Sequence, residues 1–291
     1  MNSDIPHAVA LVPTYNGASF IEETLDSLAR QSYGNLRVLI SNDASTDRTA
    51  EICDQYASRD PRFTVIHQPH NLGWIGNVNA LLEAAEGDYF FIAYHDDVYM
   101  PDYVHSLVGA LEREPAAILA YPDIEYQKDD GSITTPSFRD LDGITDRYAR
   151  VRVMASKPHH NAIPVLGMFR ASAFALAGGL RSNLAGEFVA DWPWLIGLLV
   201  HGHFVRVPDV LCRKIVRTSG VASGWRQNPI SRLAVVLSCA GVIKEAEFSR
   251  REKWSLYFVL IRSYPLIKTI HLRRWLRKNR VLKRIHSRIK A

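Results

Sequence analysis

The feature that most constrains this chain is a regular alternation of short apolar runs with helical repeats over roughly its first 120 residues. The runs are Ala8–Val12, Leu36–Ile40, Phe63–His67, Tyr89–Ala93 and Ala116–Tyr121. Each is short and mostly apolar, broken only by Arg37, Thr64 and His67, and bounded by polar or turn residues, as a buried strand should be. Between them lie stretches with apolar residues three and four apart. Examples are Ile21, Leu25 and Leu28, then Val78, Leu81, Leu82 and Ala85, then Val104, Leu107, Val108 and Leu111. Ser19 with Glu22 has capping-box spacing, Ser45 or Thr46 is placed to cap the second helix, and Pro101 is placed to open a later one. Strand–helix alternation of this kind predicts an α/β fold with a doubly wound, mostly parallel sheet.

Such a sheet fixes where chemistry belongs, because ligands bind outside the carboxyl ends of its strands. "PTYNG", "NDAS" and "HDD" each follow a predicted strand and so share one rim. Asp96 and Asp97 stand side by side on that rim, where two carboxylates repel unless a cation lies between them. Rim carboxylates suit a hard divalent ion, Mg²⁺ or Mn²⁺, completed by substrate phosphates. No GxxxxGK[ST] loop and no GxGxxG follows the first strand, which argues against a P-loop enzyme and a dinucleotide fold.

Charge is unevenly distributed. The formal net charge is +5, yet from Arg250 to the end there are 14 Lys or Arg and one acid, Glu252. The body is therefore acidic and the tail strongly basic, with aromatic and aliphatic residues from Trp254 to Leu276 among the cations. That mixture is expected to rest on an anionic membrane surface. Packing on the acidic body, or at a dimer contact, is the alternative. The tail matches no recognisable nucleic-acid module. The three cysteines, Cys53, Cys212 and Cys239, form no CxxC pair and read as buried apolar residues in a reducing compartment. The N-terminal stretch has no basic-then-apolar leader pattern, and no uninterrupted apolar run reaches about 18 residues. The expected location is cytoplasmic, peripheral on the inner face of the cell membrane. Periodicity weakens from about residue 122 to 165, and a helical unit is expected from about 226 to the end. The expected division is 1–225 and 226–291.

Five stretches in order, "VPTYNGASFIEETLDSLARQSY", "ISNDASTDRT", "NLGWIGNVNALLEAAEGDYF", "YHDDVYMPD" and "ADWPWLIGL", give the chain a resemblance to the family 2 glycosyltransferases. The likeness runs from about Val9 to Ser219, roughly three quarters of the chain. It implies a GT-A nucleotide-sugar-binding fold and an inverting sugar transfer from a nucleotide-diphosphate sugar to a saccharide or lipid-linked acceptor. It places Pro13, Thr14 and Tyr15 against base and ribose, and gives Asp43 the hydrogen bond to the base, most simply the N3–H of uracil. Asn79 matches the asparagine of the helix beneath the site. Asp96 reaches ribose or metal, Asp97 ligates the metal, and Asp191 is the catalytic base, with Glu187 as its rival. Tyr94 and His95 stand where an acidic metal motif usually begins, Val78 replaces a common arginine, and Ile215, Val216 and Arg217 stand where a histidine is often found. Arg213, Lys214 and Arg217 are candidates to supply part of the positive charge at the diphosphate. A QxxRW-type motif of processive relatives is missing, which favours transfer of one sugar. His159 and His160 lie in a loop placed to cover the acceptor, and His201 with His203 reads as a surface pair. Two other classes remain open: a sugar nucleotidyltransferase, and a membrane-docked nucleotide-sugar-binding module with a degenerate site.

Overall fold

The computed structural model describes residues 5–128, 130–157, 163–187, 189–216 and 229–263. Nine strands form one sheet: β1 (Ala8–Thr14), β2 (Leu36–Asn42), β3 (Phe63–His67), β4 (Tyr89–Ile92), β5 (Asp97–Tyr99), β6 (Ala117–Lys128), β7 (Ile133–Thr134), β8 (Met168–Arg170) and β9 (His203–Val216). Their order is β3-β2-β1-β4-β8-β6-β9-β5, with β7 paired to the end of β6. β1 runs parallel to β2 and β4, β2 to β3, and β6 to β9. The four-strand parallel block matches the alternation in the sequence. β8 departs from it, inserting antiparallel between β4 and β6, and β5 pairs antiparallel with β9. Both are three-residue strands, too short for any periodicity to announce.

The helices are α1 (Ile21–Ala29), α2 (Thr49–Arg59), α3 (Gly73–Ala84), α4 (Tyr103–Arg113), α5 (Arg147–Ser156), α6 (Ala171–Ala177), α7 (Asp191–His201), α8 (Pro229–Glu245) and α9 (Arg250–Ser263). α3 lies against β1 and β2, and α4 against β6, β8 and β9. α5 and α7 pack together, α8 packs on α7, and α9 on α5 and α8. All seven residues of β1 are buried, so the first strand forms the centre of the core.

Three helix starts differ from expectation for one reason: the backbone amides find nearer acceptors. At α1, Phe20 and Ile21 both donate to the Gly17 carbonyl, and Ser19 and Glu22 form no box. At α2, Asp47 rather than Ser45 or Thr46 accepts the Thr49 N–H at 3.0 Å. At α4, which begins two residues beyond Pro101, the Gln31 side chain accepts the Val104 N–H at 3.0 Å.

Candidate active site

The carboxyl ends of β1, β2 and β4 meet on one rim. The loops after β1 and β2 are tied to each other. Asn16 N–H donates to Ser45 Oγ at 3.0 Å, and Thr46 N–H donates to Asn16 Oδ1 at 2.8 Å. Gly17 N–H donates to Thr49 Oγ1 at 2.8 Å. Gly17 has no side chain because none fits: a Cβ there would lie 3.0 Å from Thr14 Oγ1 and 3.1 Å from His95 Nδ1. Pro13 and Thr14 are buried at the end of β1, and Thr14 Oγ1 shares a 2.8 Å hydrogen bond with His95 Nδ1. Tyr15 projects outward, 42% exposed. His95 also stands edge-on to Phe20, with ring centroids 4.9 Å apart. It is a rim residue that its place beside the two aspartates alone did not single out.

Asp43 is buried at the end of β2. Its Oδ1 accepts the Leu72 N–H at 2.6 Å, at the start of α3. Burial raises its pKa, against the pull of the Leu72 and Gly73 amides. Glu187 Oε1 accepts the Ile75 N–H at 2.8 Å from the loop between α6 and α7. Two carboxylates thus hold the positive end of one helix, where the dipole favours them. Glu187, the rival base, has a helix-capping role in this arrangement.

The Asn79 amide is engaged at both ends by Leu180. Nδ2 donates to the Leu180 carbonyl at 2.9 Å, and Oδ1 accepts the Leu180 N–H at 2.9 Å. Asn79 therefore pins the α6–α7 loop to α3. Asn77, two residues earlier, is the residue that reaches the rim. It donates to the Ser41 carbonyl at 3.0 Å, and its Oδ1 is buried with no hydrogen-bond partner.

The adjacent carboxylates differ sharply. Asp97 is 0% exposed and sits directly opposite Lys214 in the β5–β9 register. Lys214 Nζ donates to Asp97 Oδ2 at 3.1 Å, and Ile215 N–H donates to Oδ1 at 3.3 Å. Burial lifts the Asp97 carboxyl to about 6, against the pull of Lys214. Burial works against the Lys214 ammonium too, but Asp97 and Asp96 outweigh it and hold the lysine protonated. Nζ also lies 4.9 Å from the centre of the Tyr94 ring, a cation–π contact. Asp96 is half-buried, and its side chain makes no hydrogen bond or ion pair among the described residues. Asp97, expected to ligate a metal, thus has Lys214 as its partner. The oxygen donors fit a hard divalent ion held by Asp96 and completed by diphosphate and water. They do not form a protein cage, and no cluster of three metal-ligating side chains occurs among the described residues.

Asp191 is the first residue of α7, half-buried, with Oδ1 accepting the Trp192 N–H at 3.0 Å. Burial, with the charges of Asp191, Asp97 and Asp96, holds the Tyr94 hydroxyl firmly protonated. The charges of all three aspartates therefore bear on one tyrosine just beyond β4. A groove of about 670 Å³ opens between α6, α7 and α8, lined by Ala190, Pro193, Trp194, Arg181 and Glu245 but not by Asp191. His201 is exposed, whereas His203 keeps only 12% side-chain exposure and pairs with Glu114 at 3.0 Å. His159, His160 and Arg217 lie outside the described residues, as does the tail beyond Ser263.

This arrangement is an α/β sheet with carboxylates at one rim, the architecture of the GT-A fold. The model of the family described as glycosyl transferase family 2 matches residues 9–176, and the chain belongs to that family. An uncharacterised glycosyltransferase of Haemophilus influenzae is 32% identical over 130 residues, 44% of this chain and 40% of that relative. The chain thus spans less than half the length of that relative. In fold it resembles S. aureus TarS, residues 1–349, in complex with UDP-GlcNAc. The TM-score is 0.70 at 17% identity, covering 89% of this chain and 72% of that one. It also resembles a mannosyltransferase of Pyrobaculum calidifontis in complex with GDP-Man and Mn²⁺. There the TM-score is 0.57 at 18% identity, covering 90% of this chain and 70% of that one.

Proposed function

We propose that this chain transfers one sugar from a nucleotide-diphosphate sugar, uridine-linked, to a hydroxyl of a saccharide or lipid-linked acceptor, with inversion at the anomeric carbon. The observation that carries the reading is the rim itself: the Asp97–Lys214 pair beside the half-buried Asp96, next to loops tied together by Asn16, Ser45 and Thr46. Family membership and the UDP-GlcNAc complex of TarS support a nucleotide-sugar donor.

In this reading the base and ribose lie against Pro13, Thr14 and Tyr15, with Asp43 setting the loop that receives them. Asp96 would hold a divalent ion, Mn²⁺ or Mg²⁺, which when bound would supply positive charge against the diphosphate. Asp97 orients the Lys214 ammonium toward the same charge as the leaving group departs. Asp191 takes the proton from the acceptor hydroxyl while its oxygen bonds to the anomeric carbon and the bond to the diphosphate breaks. Assay with a panel of UDP-sugars and saccharide acceptors, with product read by NMR, tests this reading. An inverted anomeric centre and free UDP are expected. Asp191→Asn should lower the rate by about 10²–10⁴ with UDP affinity unchanged; a retained anomeric configuration or an unimpaired variant would remove Asp191 from the role.

A further inference from the structure

α9 is apolar on two opposite sides. Leu256 and Leu260 are fully buried against α5 and α8. On the outside, Trp254, Phe258 and Ile261 are 73%, 63% and 55% exposed. They fall on one stripe, spaced i, i+4 and i+7. Arg250, Arg251 and Arg262 are also exposed. At 3.6 residues per turn they share an arc of about 120° with that stripe. The single acid of the helix is withdrawn from them. Glu252 accepts the Ser249 N–H at 2.8 Å and closes a capping box, and none of the three arginines makes an ion pair or hydrogen bond among the described residues. The neighbouring α8 adds Leu233 and Leu237, 43% and 50% exposed. A helix with a second apolar stripe left exposed asks for a second partner, and exposed apolar side chains grouped in this way mark an interaction surface.

We propose that the outer face of α9, joined by α8, docks onto an anionic lipid surface. The occupant follows from charge. A stripe of Trp, Phe and Ile interleaved with unpaired arginines matches the boundary between acyl chains and anionic headgroups. A second copy on the same face would set Arg250, Arg251 and Arg262 against their own equivalents, which like-charge repulsion disfavours. The chain's own residues 264–291 carry ten Lys or Arg and no Asp or Glu. They repel this face as occupant and attract the same lipid. No described helix is long and apolar enough to cross a membrane, so α9 lies on the surface. The inference rests on α8 and α9 alone, so it stands apart from the sugar-transfer reading.

Co-sedimentation of the full chain with vesicles tests it. Phosphatidylcholine vesicles with phosphatidylserine should bind the protein, and phosphatidylcholine alone should not. Trp254→Ser/Phe258→Ser/Ile261→Ser alters only exposed side chains and keeps the whole basic tail. It should weaken vesicle binding on the order of tenfold, with circular dichroism unchanged. Bromine-labelled acyl chains should quench tryptophan fluorescence, and Trp254→Phe should be quenched measurably less than wild type in the same vesicles. Wild-type vesicle binding by the triple variant would overturn the proposal, leaving lipid attraction to the tail. So would loss of a wild-type dimer, or of single-stranded RNA binding, in that variant without any change on vesicles.

Discussion

Lys214 is the residue on which the rim chemistry turns. It faces a wholly buried carboxylate across a strand pair and retains 27% side-chain exposure toward the rim. Lys214→Met would leave Asp97 buried without its cation. Because the lysine is partly exposed, the cost should fall below that of a fully buried pair, at about 2–3 kcal/mol. Adding Asp97→Asn should recover most of it, since replacing both partners removes the stranded charge. Denaturant titration of the two single variants and the double checks this, and additive losses would contradict the pairing. The sequence marked Asp97 as special but not its partner. "LCRK" announces a basic strand, yet which cation lands on which acid depends on a register joining residues 117 positions apart. Asn79 shows the opposite limit: its position was legible, and its use as a pin for Leu180 was not.

At the scale of elements, α3 is set by groups distant in the chain. Asp43 and Glu187 hold its amino end, and the turn into it passes through Gly73 at φ +75°. A Cβ at that position would lie 2.8 Å from Glu187 Oε1. Gly73→Ala should therefore combine left-handed strain of about 1–2 kcal/mol with displacement of Glu187. The expected result is a lower melting temperature together with weaker nucleotide binding, because Asp43 sits on the same turn. A variant as stable as wild type would show that the turn relaxes freely. β1 to β4, the start of β6 and α1 to α4 were legible in the sequence because each carries its own pattern, whereas β9, the longest strand, was not. The helix starts were not, because Gly17, Asp47 and Gln31 supply acceptors by tertiary contact. Nor were β5 and β8, whose pairing depends on distant strands rather than local pattern.

Across the whole molecule, burial shields the thiols of α2, β9 and α8 alike. Burial raises the Cys53 pKa to about 12 and pushes Cys212 and Cys239 well above their ordinary value. At neutral pH all three should resist a thiol reagent in the folded protein and react together in denaturant. Fast reaction of Cys212 in native conditions would mean that β9 opens beside the rim. The rim itself unites residues from β1, β2, β4, β5, β9 and the start of α7, which is why the motifs had to be read together. Calorimetric titration of UDP, with and without Mn²⁺, on wild type and Asp96→Asn, tests the central claim most directly. The account predicts saturable binding that weakens by about tenfold or more when Mn²⁺ is withheld or Asp96 is replaced. A folded protein that binds none of UDP, GDP, CDP or dTDP would contradict it.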